Sequence, residues 1–476
     1  MKIKISLFIC FMCSFFTLKA QQNDIMPQSA YYQPPSDPLV KQKLDKWQDK
    51  KFGMIIHWGI YAVPGIIESW SICSEDWIER DSTISYDDYK KWYWDFSKQF
   101  NPTKFSPEQW AKAGKDAGMK YLVFTTKHHD GFAMFDTKQS DFSIAKGPFA
   151  NNPKADVTKY VFDAFRKEGF MIGAYFSKPD WHSQYYWWQK YATADRNNNY
   201  DIRKYPWRWN KFKDFTYNQI SELMHNYGTV DILWLDGGWV RPLETINAEV
   251  LSWGANIPKW SQDINMPKIA EMARRAQPGL IMVDRTVHGP YENYQTPEQK
   301  IPENQLEYPW ESCMTLGGAW GFVPDDKYKP ASEVIHKLVE IVAKGGSLLL
   351  GVGPKPDGTL PDEVVNKLED IGKWTAVNGK AIYNTRTMKN YKSGQTWFTQ
   401  AKDGKKIFAV YCLETNKQPL ATINWDGNIP KRGTDVKLLS TGKKIKWSEV
   451  NGKVSLEIPV ETEKQIALAF EFTPQN

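Results

Sequence analysis

From residue 51 to residue 374 the chain alternates between two patterns: short apolar runs, and longer stretches with small and apolar residues at helical spacing. The apolar runs fall at 51–59, 120–127, 170–175, 230–235, 280–284 and 347–351. Continuous rather than alternating apolar character is what strands need when a parallel sheet is covered on both faces. Helical spacing covers 107–118, 159–169, 212–228, 267–276 and 331–343, and a glycine closes each stretch or follows shortly after it, before the next strand begins. Repeated helix and strand units of this kind predict an α/β fold of the (β/α)8 TIM-barrel type. Six strands stand out where a perfect barrel has eight, so an irregular barrel is expected, closed by a helix at 361–374.

Beyond residue 383 the pattern changes. Short alternating segments at 397–399, 406–412, 454–459 and 465–472 are broken by the turn pairs Asp403-Gly404 and Asn451-Gly452, which predicts an antiparallel β-sandwich. The expected organisation is therefore a leader at 1–20, a barrel domain at 21–382 and a C-terminal sandwich at 383–476. The leader is read from Lys2 and Lys4, an apolar run from Ile5 to Leu18, and a cleavage region near Ala20. It predicts an exported protein, periplasmic or extracellular, from a bacterium. The run is shorter than the ~20 residues of a membrane-spanning helix, and no stable membrane insertion is expected. Without the leader, which carries Cys10 and Cys13, only Cys73, Cys313 and Cys412 remain. Three scattered cysteines make no disulfide framework, so the fold must rest on its core.

Composition changes this picture in two respects. The formal charge of +6 is dispersed without a basic block, which excludes a nucleic-acid footprint. Twenty-two tryptophans supply both core volume and flat apolar surfaces on which a sugar ring can rest.

Most of the predicted strands end in residues of catalytic type: His57, then His128-His129-Asp130, Tyr175, Asp236 and Asp284-Arg285. Strand ends on one barrel rim converge, so these groups should share a pocket. The segment Val230-Asp-Ile-Leu-Trp-Leu-Asp236-Gly-Gly-Trp239 delivers a carboxylate at the end of an apolar strand among tryptophans, which suits a glycosidase nucleophile. The competing reading makes Asp236 a turn cap before Gly-Gly. Glycoside hydrolysis needs a second carboxyl as proton donor, and Glu292, Glu298 and Glu303 follow Arg285. Composition does not choose among them. A metal at the paired histidines is not expected: neighbours on an extended strand point to opposite faces, and no His-Glu-x-x-His spacing completes a shell. Hydrogen bonding to a polyol competes with an arrangement that puts one histidine in the pocket and buries the other.

These residues belong to a set of ordered motifs, His57-Trp-Gly-Ile-Tyr-Ala-Val-Pro64, Lys127-His-His-Asp-Gly-Phe-Ala-Met-Phe135, Gly173-Ala-Tyr-Phe-Ser-Lys-Pro-Asp-Trp181, Asp231-Ile-Leu-Trp-Leu-Asp236-Gly, Asp284-Arg285, Thr296-Pro-Glu298 and Gly351-Val-Gly-Pro-Lys-Pro-Asp-Gly358. Through them the chain resembles the α-L-fucosidases of glycoside hydrolase family 29. The resemblance implies a retaining exo-enzyme with no cofactor, acting on fucosylated oligosaccharides or glycoconjugates. It assigns the nucleophile to Asp236 and the acid/base to Glu298, with Glu292 as substitute. His57, His128, His129, Tyr175, Trp234 and Arg285 match positions that hold the sugar or shape its pocket. Family members show a Glu-Trp pair after the Val-Pro motif, whereas this chain reads Glu68-Ser-Trp70 and then Glu75-Asp-Trp77, of which Glu75 and Trp77 are taken as the pocket residues. The altered region leaves two alternatives open: a related sugar such as galactose, or a barrel that binds carbohydrate without hydrolysing it.

Overall fold

The computed structural model describes residues 32–475 apart from 76–77, 79, 254–255, 414–420 and 460–465. The expected leader, Cys10, Cys13 and the pocket candidate Trp77 lie outside the described residues. Seven parallel strands form one curled sheet: β1 (Phe52–Ile56), β2 (Tyr121–Lys127), β3 (Met171–Ser177), β4 (Ile232–Asp236), β5 (Ile281–Asp284), β6 (Glu311–Thr315) and β7 (Ser347–Val352). Their order is β5-β4-β3-β2-β1-β7-β6, which leaves β5 and β6 as the sheet edges.

The segment 291–299 occupies the gap between those edges. It meets β5 through Asn293 N–H to the Met282 carbonyl (2.8 Å) and Asp284 N–H to the Tyr291 carbonyl (2.9 Å). Its far end meets β6 through Cys313 N–H to the Pro297 carbonyl (3.2 Å) and Gln299 N–H to the Cys313 carbonyl (2.9 Å). Isolated bridges pair Val283 with Glu292 and Cys313 with Glu298. An irregular piece of chain thus satisfies backbone groups that two open edges would leave bare. Among these strands the sequence pattern misses β6, because Glu311, Ser312 and Thr315 make it look like a polar loop although all five of its residues are buried.

Alternate residues of the strands point inward and build a core of their own, with Ile55, Tyr121, Val123, Tyr175, Trp234, Val283, Cys313 and Leu349. Trp47, from the helix Pro38–Gln48, joins this core by stacking on Tyr294 at 4.0 Å between ring centres. A larger core lies outside the sheet, where the helices Pro107–Asp116, Val157–Lys167, Pro206–Asn226, Met266–Ala276, Ala331–Ala343 and Asp362–Asn378 bury their apolar stripes. Two of the turns that carry helix into strand use Gly169 at φ 83° and Gly228 at φ 71°, a left-handed conformation that L side chains resist.

In the C-terminal region every strand pairing among the described residues is antiparallel. A seven-stranded sheet and a three-stranded sheet enclose a separate core that includes Phe398, Trp425, Leu456 and Phe470. Asn451 and Gly452 both have positive φ (52° and 80°), as a type I′ hairpin requires. The other face of the larger sheet contributes Trp397, Val410 and Ala469 to the outer barrel core, and Trp374 donates from Nε1 to the Ala467 carbonyl at 3.0 Å. Cys73, Cys313 and Cys412 are free thiols. No helix among the described residues is long and apolar enough to cross a membrane.

Candidate functional site

The strand ends meet as the pattern of polar terminal residues predicts. A cavity of ≈ 380 Å³ at the carboxyl rim of the sheet is lined by His57 after β1, His128 and His129 after β2, Tyr175 of β3, Trp234 and Asp236 of β4, Arg285 after β5, and Glu298 beside β6. Asp284 and Arg285 illustrate how the sequence separates roles: successive residues face opposite ways, so Asp284 pairs with buried Lys178 at 2.5 Å while Arg285 reaches the cavity.

Asp236 is held from several sides. Tyr175 donates its hydroxyl to Oδ2 (2.7 Å), the Gly237 backbone N–H donates to Oδ1 (2.8 Å), Arg285 Nη1 lies 3.3 Å from Oδ1, and His129 Nε2 lies 3.7 Å from Oδ2. Burial alone would raise its pKa, but the Arg285 charge and the two hydrogen bonds outweigh it and hold the carboxyl well below the usual carboxylate range. Asp236 is therefore ionised. Glu298 forms an ion pair with Arg285 through Nη2 and Oε2, and its Oε1 accepts from Trp320 Nε1 at 3.0 Å. One guanidinium spans both carboxyls, a fork geometry that arginine alone among the side chains offers.

The histidines are buried and neutral. Burial, with the neighbouring His128, keeps His57 well below its usual pKa, burial lowers His128 to about 4, and burial with His128 lowers His129 strongly. Ser177 gives its proton to the Pro179 carbonyl (2.6 Å), so the 2.8 Å contact between His129 Nδ1 and Ser177 Oγ must be donated by the imidazole. His129 Nε2 then carries a lone pair toward the cavity and can accept from a ligand hydroxyl. His128 Nδ1 is anchored 2.6 Å from Ser69 Oγ. His57 Nδ1 is buried with no hydrogen-bond partner among the described residues, and its ring lies 4.9 Å from that of Trp320.

Two expectations are corrected. The paired histidines do not face opposite ways: both line the cavity, with ring centres 4.4 Å apart, because β2 ends at Lys127 and they fall in the loop beyond it, where strand alternation no longer applies. Glu75 is not among the cavity residues, for it turns to Arg196, accepting from Nε at 2.8 Å and from the backbone N–H at 3.1 Å. Glu68 and Trp70 line the cavity instead, Glu68 accepting from the Gly321 backbone N–H at 2.6 Å. The single 3-10 turn Ser69–Ile72 comes straight after the Val63-Pro64 loop and brings both residues back to the rim. Burial raises Glu68 to about 7. Of the other carboxyls, Glu292 is absorbed by His288 (Nδ1 to Oε2, 2.6 Å) and Glu303 is exposed. Trp320 was not legible in the sequence, because its loop Gly317-Gly318-Ala-Trp320-Gly321 follows the unrecognised β6. No group of three or more His, Cys, Asp or Glu suited to a metal occurs among the described residues.

An ionised carboxylate, a second carboxyl on the same arginine, neutral imidazoles and an indole floor can bind a polyol and transfer a glycosyl group. Comparison with known proteins agrees. The family model described as alpha-L-fucosidase matches residues 19–380. The plasma alpha-L-fucosidase of Homo sapiens is 28% identical over 447 residues, covering 90% of this chain and 88% of the relative, and the human tissue enzyme is 28% identical over 430 residues, covering 88% and 85%. Among solved structures, alpha-L-fucosidase isoenzyme 1 from Paenibacillus thiaminolyticus superposes with a TM-score of 0.74 at 28% identity, over 92% of this chain and 100% of that one. The Thermotoga maritima alpha-fucosidase in complex with fucose gives 0.70 at 26%, over 93% and 100%.

Proposed function

The chain belongs to the α-L-fucosidase family, a family of glycoside hydrolases, and from that premise we propose that it is a retaining exo-α-L-fucosidase that removes terminal fucose from oligosaccharides or glycoconjugates. The observation that carries the reading is Arg285 bridging Asp236 and Glu298 at one rim of the cavity. Carboxyls tethered to one guanidinium favour the ~5–5.5 Å separation of a retaining mechanism over the wider spacing that admits a water between them.

In the proposed reaction an Asp236 oxygen attacks the anomeric carbon while Glu298, which must exchange its ion pair with Arg285 for a proton once the substrate is in place, gives that proton to the departing glycosidic oxygen. The glycosyl ester so formed is then attacked by water, whose proton returns to Glu298 as the Asp236 ester bond breaks. His129 Nε2, His57 and His128 receive hydroxyls of the sugar, and Trp234, Trp70 and Trp320 give apolar surface for its ring and methyl. Lys2, Lys4 and the apolar run behind them support export to the periplasm or cell exterior.

The test is release of 4-nitrophenol from 4-nitrophenyl α-L-fucoside by the mature protein and by Asp236→Ala. We expect turnover that falls by at least about three orders of magnitude in the variant, in line with loss of a covalent nucleophile. Faster hydrolysis of the α-galactoside than of the fucoside, or no hydrolysis of either, would reject the reading.

A further inference from the structure

The residue after Arg285 has an unusual backbone. Thr286 has φ 68°, and of the eight non-glycine residues with positive φ among the described residues it alone is β-branched. A β-branched side chain enters this region only where its surroundings impose it. All three polar groups of Thr286 are held. Its N–H donates to Glu292 Oε1 (3.2 Å), and both its carbonyl (2.8 Å) and its hydroxyl oxygen (2.7 Å) accept from Arg241 Nη2. Gln299, directly after Glu298, also has positive φ (53°), so a left-handed residue follows each partner of the Arg285–Glu298 ion pair.

Arg241 is 4% exposed, and its hydrogen bonds go to carbonyls and a hydroxyl rather than to a carboxylate. Besides Thr286 it donates from Nε to the Gly238 carbonyl and from Nη1 to the Thr245 carbonyl (3.4 Å). Keeping a guanidinium from water is costly, and what this one secures is the junction of two loops. The loop after β4 starts from Gly237, whose N–H binds Asp236, and the loop after β5 starts with Arg285. They touch at Gly238, where a Cβ would lie 1.8 Å from Thr286 Oγ1 and 2.8 Å from the Arg285 carbonyl oxygen. Neither Arg241 nor Thr286 lines the cavity.

We propose that Arg241 and Thr286 are positioning residues for the reaction: Arg241 locks Thr286 in its left-handed turn, and that turn aims the Arg285 guanidinium at Asp236 and Glu298 together. With the lock gone, Thr286 relaxes to negative φ, the chain direction at Arg285 changes, and the guanidinium leaves one or both carboxyls. The effect on turnover rests on the fucosidase reading; the placement of Arg285 does not.

Arg241→Lys keeps a cation but loses the fork that reaches both loops. Thr286→Ala and Thr286→Gly both remove the hydroxyl, and only alanine resists φ 68°. On 4-nitrophenyl α-L-fucoside, kcat should fall about tenfold in Arg241→Lys, about threefold in Thr286→Ala and least in Thr286→Gly, and adding Thr286→Gly to Arg241→Lys should recover about threefold. Residues that serve only the fold give the reverse: glycine, the more flexible, does more harm than alanine, and combining variants deepens the loss. The second readout needs no turnover. In protein labelled with ¹⁵N in its arginines, the Arg285 Nε–H, which donates to Thr296 Oγ1 at 3.2 Å, is assigned by its absence from Arg285→Lys. Its solvent exchange should quicken at least about tenfold in Arg241→Lys and return toward the parent rate in the double variant. A lower kcat in Thr286→Gly than in Thr286→Ala, no recovery in the double variant, or an Arg285 signal indifferent to Arg241→Lys would overturn the proposal. If Arg241→Lys does not fold, the order of the two Thr286 variants decides by itself in both readouts. An intact protein that cleaves no fucoside while its Arg285 signal responds as described would overturn the fucosidase reading and leave the positioning of Arg285 in place.

Discussion

The indole N–H of Trp320 meets Glu298 at 3.0 Å while the six-membered part of its ring packs over Gly351, where a Cβ would lie 2.7 Å from Cε3, and against His57. Trp320 is thus fixed by packing and spends its one donor on the proposed acid/base, which makes it a positioning residue. Trp320→Phe keeps the packing and removes the donor. Loss of one hydrogen bond to a carboxylate is worth about 1.5–3 kcal/mol, so kcat on a fucosyl disaccharide should fall about tenfold or more. 4-Nitrophenol leaves with little help from an acid, so its fucoside should be nearly unaffected, and KM should stay level for both. Equal losses on the two substrates would show that Trp320 acts on the pocket as a whole. At this scale the sequence was most readable where chemistry sits at strand ends, as with His57, Asp236 and Arg285. It was least readable where a side chain arrives from a loop: Glu68 and Glu75 are equivalent in composition, and only the turn at Ser69–Ile72 decides which of them reaches the cavity.

Strands β1 and β2 show what the barrel demands of an element. Gly53 pairs with Tyr121 in register, and the tyrosine ring lies across the glycine so closely that a Cβ would overlap it. Tyr121 cannot retreat, since its hydroxyl donates to Glu311 at 2.7 Å and its ring meets Trp47. Gly53→Ala should therefore cost roughly 1–3 kcal/mol through overpacking, read as a lower urea midpoint with an unchanged denaturant slope. An alanine variant as stable as the parent would mean that the tyrosine can move. The same interior explains which strands could be recognised in advance. Those whose inward and outward faces are both apolar announce themselves, and β4 and β7 are examples. β6 carries Glu311 inward and Ser312 outward, and the eighth gap is filled by 291–299, whose Pro297 and isolated bridges, antiparallel to β5 and parallel to β6, give no strand pattern at all. The acid/base candidate Glu298 lies in that irregular piece, so the fold was legible as a barrel while the element that presents its second carboxyl was not.

For the whole molecule, the buried carboxyls of the barrel interior set how stability follows pH. Glu311 is fully buried among Tyr121, Trp234 and Tyr294; burial raises its pKa to about 7, against the pull of Tyr121, Trp234 and Arg285. A folded-state pKa above the unfolded value of 4.5 means that the folded chain keeps a proton the unfolded chain has lost. The contribution is complete below about pH 4.5, declines as pH rises toward about 7, and is gone above that. Glu68, also raised to about 7, acts in the same direction. His128, lowered to about 4, acts in the opposite one, since its neutral folded form loses ground as pH falls from 6.5 through 4. The parent's curve therefore mixes opposing slopes, and the Glu311 share emerges only as a difference. Glu311→Gln keeps an acceptor for Trp234 Nε1 and a donor for the Tyr121 oxygen but cannot ionise. The stability of the variant relative to the parent should rise between pH 4 and pH 8 by roughly 3 kcal/mol, the worth of a shift of this size for a group without solvent screening. Urea unfolding of both proteins across that range measures it, and parallel curves would show that Glu311 is not the group that stores the proton.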